Sequence, residues 1–193
     1  FTRKTADVVL ALGRVHMRGV FVATSGPGAL FRPLVRHVRT TDGYVVVTEP
    51  LTPHMRRNAG RRDSLVVEAS DAPRWLRWLD DGRVLFAGAA SVQAGPRQGP
   101  RVLIQRTGQL MYELSLRHPV VSGLPGRWSW QVPVVSTLDG LPWIGGHRNY
   151  PFHFFALATG WQGDGLAWFA AKSALRHFRG ESAKTDNIFE FGR

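Results

Sequence analysis

Three glycines, Gly160, Gly163 and Gly165, fall within six residues. They follow an apolar, aromatic-rich run at 152–158 and precede a helical pattern. Side chains this small let a ligand approach the backbone closely. The helix beyond offers unpaired N–H groups and roughly half a positive charge at its N-terminus. Such a place suits an anionic or electron-rich group, phosphate being the commonest. The same spacing also builds an ordinary tight turn, so glycines alone leave both readings open. A second glycine turn, Ala23-Thr24-Ser25-Gly26, ends the apolar run 19–26. Ser25 lacks the G-x-S-x-G surroundings of a hydrolase nucleophile, and the seven His residues show no metal-ligand spacing. With no Cys, thiolate metal sites, disulfides and cysteine nucleophiles are excluded, and a reducing, cytoplasmic setting is expected.

These turns need strands to present them. Residues 6–13 and 19–26 read as short buried strands ended by glycine. Strands are predicted at 44–48, 65–69, 75–79 and 84–89. Asp80-Asp81-Gly82 marks a two-residue hairpin, because Asp-Gly readily takes positive φ. After a polar loop at 93–100, apolar Leu103, Leu110, Met111 and Leu114 predict a one-faced helix over 101–117, stopped at His118-Pro119. Alternation from Arg127 predicts a strand over 127–135. The last helix runs from an N-cap at Asp164 to Gly180, with an apolar stripe of Trp168, Ala171, Leu175 and Phe178.

A chain of 193 residues is long enough for one large or two small domains. No apolar run approaches the roughly 20 residues that span a bilayer as a helix, and residues 1–4 lack the apolar stretch of a signal peptide. The formal charge of +11 would ordinarily raise a polyanion as partner. The basic residues are nearly all Arg, however, and are scattered along the chain rather than grouped, as a solvated surface is. No nucleic-acid partner is expected.

The flanking residues carry a more specific signal. Thr137, Asp139, Pro142, Ile144 and Gly145 form a T-x-D-x-x-P-x-I-G segment, and Gly160, Gly163 and Gly165 a G-x-x-G-x-G loop ahead of a long helix. With the A-T-x-G turn at Ala23–Gly26 and the Asp-Gly-Arg hairpin at Asp81–Arg83, this order resembles the C-terminal half of the FAD-dependent amine and amino-acid oxidoreductases. That group contains D-amino-acid oxidase, glycine oxidase and sarcosine oxidase, and the likeness is greatest to its bacterial D-amino-acid-dehydrogenase-like members. Ala87 stands where the family usually has Gly.

The resemblance implies a mixed α/β fold. Residues 1–40 and 136–193 would form part of an FAD-binding Rossmann-like domain, and residues 41–135 an antiparallel substrate-domain sheet with a long helix. It implies FAD as cofactor, met by Thr24, Gly26, Gly145, Gly160, Gly163, Asp164, Gly165 and Leu166. Backbone N–H groups of Gly165 and Leu166 would face the flavin pyrimidine oxygen. The implied substrate is a small amine or amino acid. Its carboxylate suits an Arg fork, for which Arg148 beside His147 is the first candidate and Arg83 and Tyr44 follow. Sarcosine-oxidising relatives carry Lys where this chain has Ala167, which leans toward a dehydrogenase. The strand–G-x-G-x-x-G unit that holds the FAD pyrophosphate does not occur in these residues. A missing N-terminal FAD-binding segment, in the same gene or another chain, is therefore an expected partner, and an exposed apolar surface is expected where it docks. Two alternatives stay open: half of a split, heteromeric or degenerate flavoenzyme without activity of its own, and a basic module binding anions or nucleic acid.

Overall fold

The computed structural model describes residues 5–59, 63–70, 73–89, 95, 99–160 and 163–192. In chain order the elements are β1 (Ala6–Leu10), β2 (Gly13–Met17), β3 (Val20–Val22), α1 (Arg32–Val35), β4 (Val38–Thr48), α2 (Pro53–Asn58), β5 (Leu65–Val67), β6 (Arg74–Trp78), β7 (Val84–Ala89), α3 (Gly99–Arg117), β8 (Gly126–Thr137), β9 (Trp143–His147), β10 (Tyr150–Leu157) and α4 (Gly163–Arg179). The fold is mixed α/β. It divides into two compact units, residues 1–39 with 134–193 and residues 40–133, and the chain passes between them within β4 and β8. Among the described residues no helix is long and apolar enough to cross a membrane.

The first unit is built on β10, which pairs in parallel with β3 and antiparallel with β9. The apolar run that ends β10, Phe154-Phe-Ala-Leu157, follows from burial on both faces. Phe154 and Ala156 join Ile144 and the α4 residues Ala170 and Ala174 on one side; Phe155 and Leu157 join Leu34, Phe31 and Phe191 on the other. The expectation of two buried N-terminal strands is corrected. Residues 6–17 form a β1–β2 hairpin, with β2 exposed throughout. β3 spans only three residues and stays half exposed, because it lies at the sheet edge with one neighbour.

The last helix also departs from expectation. It begins at Gly163, so Asp164 lies inside the first turn rather than at the N-cap. The stripe expected to pack is exposed: Trp168 at 64%, Leu175 at 52% and Phe178 at 48%. The helix packs instead through Ala170, Ser173 and Ala174, whose small side chains permit a close approach to the sheet. Its C-terminal half is tied down by Asp186. That carboxylate accepts from Ser173 Oγ, from Arg176 Nε (3.1 Å) and Nη2, and from Ala183 N (3.0 Å). The Arg176 hydrogen bond is the main cause that holds its pKa down to about 2. A depressed carboxylate pKa stabilises the fold above the unfolded value near 4, and the contribution disappears as pH falls through 2. Asp186→Asn is therefore expected to lower the melting temperature at pH 5, with the difference from wild type closing between pH 4 and pH 2. Melts followed by circular dichroism across that range check it, and a difference independent of pH would contradict it.

The second unit is a five-stranded sheet in the order β5-β6-β7-β4-β8, antiparallel from β5 through β4. α3 lies on it through Leu110 and Leu114. α3 starts at Gly99, two residues before the expected start, since Pro100 is tolerated in a first helical turn. Residues 93–94 and 96–98 of the expected loop lie outside the described residues. The β6–β7 turn has three residues rather than two: Leu79 N donates to Arg83 O and Gly82 N to Leu79 O, with Gly82 at φ 80°. This is the bulged hairpin in which Gly takes the left-handed position. β5 is shorter than expected and solvent-exposed. Arg74 bridges β6 to α3 by donating to both oxygens of Glu113 (2.7 and 3.3 Å), which holds that carboxyl below its ordinary range.

Candidate functional site

Two glycine turns meet at the end of β10. Ala158 N, just past the strand, donates to Ser25 O at 2.9 Å, tying the turn after β3 to the turn after β10. This follows from the parallel pairing of the two strands, which delivers both C-terminal ends to one edge of the sheet. The Thr24 hydroxyl donates to Gly26 O (2.7 Å) and so rigidifies its own turn. Ala158 is held at φ 57°, unusual for a residue with a side chain, and Gly160 at φ 60°. Such a backbone costs on the order of 1–3 kcal/mol and persists where surrounding packing enforces it. Ala158 is buried at 3%.

Above these turns there is room. At Gly28, Gly160 and Gly165, apart from the adjoining backbone, no atom of the described residues lies within 4 Å of where a side chain would begin. Gly163 faces only the Thr159 hydroxyl at 3.6 Å, and Gly26 rests on Val135. Gly165 and the half-buried Leu166 lie in the first turns of the 17-residue α4, whose first backbone N–H groups have no partner within the helix. The structure thus brings Thr24, Gly26, Gly160, Gly163, Gly165 and Leu166 to one region; the side chain of Asp164 lies outside the described residues. Gly145 is used elsewhere. A side chain there would meet Glu190 at 3.3 Å, and one at Gly146 would meet the His177 ring at 3.3 Å. These two glycines let the C-terminal segment and α4 close over β9.

Arg148 and His147 lie at the far end of β9, on a cleft of about 600 Å³ within the first unit. Arg36, His37, Trp143 and Phe191 line it with them, and Thr137 and Asp139 stand at its rim. None of the six residues of the glycine turns is among its lining. His147 Nδ1 accepts from Asn149 N (3.2 Å), which places the proton of the neutral ring on Nε2. Burial, then Arg148 and His37, lower its pKa. Arg36 Nε donates to His37 Nε2 (3.0 Å), leaving the His37 proton on Nδ1. Sequence reasoning missed Arg36, His37, Trp143 and Phe191, which come from three separate stretches and carry no local motif.

The remaining two candidates have structural work in the second unit. The Arg83 fork is occupied: Nε donates to Asp81 (2.9 Å) and Nη1 to Thr48 O and Glu49 (both 3.2 Å), and the guanidinium lies 4.4 Å over the Trp128 ring. Tyr44 is 3% exposed inside the core, its hydroxyl 3.5 Å from Asp42 and its pKa raised first by burial and then by that carboxylate. Among the described residues no group of His, Asp or Glu could hold a metal ion.

No protein-family model matches the sequence, and no curated protein is similar to it at the level of sequence. Solved structures do resemble it. Glycine oxidase from Geobacillus kaustophilus superposes at a TM-score of 0.65 with 15% identity, over 90% of this chain and 45% of that one. L-proline dehydrogenase from P. horikoshii gives 0.67 with 14% identity, over 93% and 48%. L-amino acid deaminase from Proteus vulgaris gives 0.68 with 16% identity, over 97% and 54%. The chain spans about half the length of these proteins, and the likeness is one of fold.

Proposed function

We propose that this chain supplies the flavin-ring end and substrate sheet of an FAD-dependent oxidoreductase that oxidises an amine or amino acid. The observation that carries this reading is the joining of two glycine turns, Ser25 O to Ala158 N, beside the N-terminus of α4 and beneath open space at Gly160 and Gly165. The N–H groups at the start of α4, which have no partner within the helix, suit negative charge gathering on one edge of a planar ring. The fold likeness to glycine oxidase and L-proline dehydrogenase supports it. When bound, FAD would supply the two-electron acceptor. The chain's own part is to orient the ring and to neutralise charge on it through backbone donors; Arg148 and His147 lie at the other end of β10, across from Tyr150, too far from the turns to hold a substrate's carboxylate there. Ala167, exposed on α4, leaves the ring without a neighbouring ammonium group, which favours an acceptor other than oxygen.

The partner is a dinucleotide-binding βαβ unit, since these 193 residues hold no G-x-G-x-x-G after a strand. The one-sided edge of β3 and the exposed Trp168, Leu175 and Phe178 stripe provide a paired edge and an apolar face for it. Titrating FAD into the purified chain, and into the same chain joined at its N-terminus to such a unit, tests the reading. The joined protein is expected to bind FAD at least about 100-fold more tightly than the chain alone, roughly 2.7 kcal/mol. Equal binding of FAD by both, no tighter than binding of FMN, would overturn it.

A further inference from the structure

The cleft on β9 has a charge and wall composition that the glycine turns do not share. Arg36 and Arg148 make no ion pair among the described residues, and Arg148 no hydrogen bond either. His37 Nε2 accepts from Arg36 Nε and His147 Nδ1 from Asn149 N, which leaves the other nitrogen of each ring free of those contacts. Asp139 contributes one negative charge, its Oδ1 engaged by Thr137 Oγ1 (2.7 Å) and Leu141 N (3.1 Å). Among the described lining residues, two guanidinium groups stand against one carboxylate, one positive charge in excess, which a monoanion cancels. The walls are aromatic: Trp143 lies 4.8 Å from Phe191 and 4.9 Å from His37, and Phe191 lies 5.1 Å from His147, between ring centroids.

From this juxtaposition we infer that the cleft binds an aromatic carboxylate, its acid group on Arg36 and Arg148 and its ring against Trp143 and Phe191. A carboxylate matches the guanidinium fork in geometry and the excess charge in number, whereas a phosphate dianion would leave charge uncompensated. The aromatic walls select a flat apolar body over a short aliphatic one, since ring pairs gain beyond simple burial. Binding to the cleft needs no flavin, and the site stands apart from the glycine turns, none of whose residues lines it.

The test is calorimetric titration of the purified chain with 2-naphthoate and with its uncharged counterpart 2-naphthamide, without FAD. Saturable one-to-one binding of the acid is expected, at least about tenfold tighter than the amide, because only the acid makes charge-assisted bonds. Arg36→Gln and Arg148→Gln should each weaken the acid about tenfold and leave the amide unchanged. Both side chains are exposed, so the melting temperature should hold. Trp143→Leu should weaken both ligands. Equal affinity for acid and amide, no saturable binding, or acid binding indifferent to both Arg substitutions overturns the site. Naphthoate binding to the chain, together with no gain in FAD binding by the protein joined to a dinucleotide-binding unit, would sink the flavin reading and leave the cleft standing.

Discussion

Phe86→Ala is expected to cost the second unit about 3–5 kcal/mol, the range for deleting a buried aromatic ring. Phe86 is 1% exposed on β7 and sits directly across from Val46 of β4 on one side and Leu76 of β6 on the other, both buried. It belongs to the cluster that receives Leu110 and Leu114 of α3. Two neighbouring strands and a helix therefore contribute to the hole the substitution would leave. A sheet held in register by its ladder hydrogen bonds has little freedom to collapse into it. Phe86→Leu keeps most of the volume and should cost under about 1.5 kcal/mol. Leu65→Ala, on a β5 residue that is 58% exposed, should stay within about 0.5 kcal/mol. Urea unfolding followed by circular dichroism checks all three. A Phe86→Ala loss below 1 kcal/mol would mean that α3 does not seal this core.

The parts of this fold legible in the sequence are those where one local rule dominates. The β7 strand reads at its true bounds because apolar residues fill it and Gly82 closes the turn before it. β10 reads because burial on both faces makes its second half, Phe154 to Leu157, wholly apolar. The α4 helix reads as a helix, but its packing face does not. Trp168, Leu175 and Phe178 recur at helical spacing just as Ala170 and Ala174 do, and hydrophobicity alone favours the larger set. The sheet is contacted by the smaller set because close approach needs small side chains, while the large ones remain outside. The glycine turns were legible through their spacing, yet what joins them, the hydrogen bond from Ala158 to Ser25, depends on a parallel pairing that no local pattern announces. The cleft was half legible. Arg148 and His147 stand out beside Gly145, whereas Arg36 arrives from the end of α1 and Phe191 from the C-terminal segment only once the chain has folded.

Gly165→Glu is expected to separate stability from function. Gly165 lies in the first turns of α4, and a Cβ added there meets no atom within 4 Å among the described residues. Glycine inside a helix is unfavourable by about 0.8–1.0 kcal/mol relative to Ala, and Glu is close to Ala on that scale. A carboxylate near a helix N-terminus adds roughly 0.3–1 kcal/mol. The variant should therefore melt at or above the wild-type temperature. In the protein joined to a dinucleotide-binding unit, the same side chain would fill the opening assigned to the flavin ring. Its carboxylate would compete for the backbone donors and oppose negative charge on the ring. FAD affinity is expected to fall at least about 100-fold, some 2.7 kcal/mol. Ser182→Glu, an exposed position beyond α4, makes the same change in net charge and should leave affinity unchanged. Retention of FAD binding within threefold of wild type by Gly165→Glu would place the ring away from this turn. A parallel loss in Ser182→Glu would assign the effect to overall charge instead.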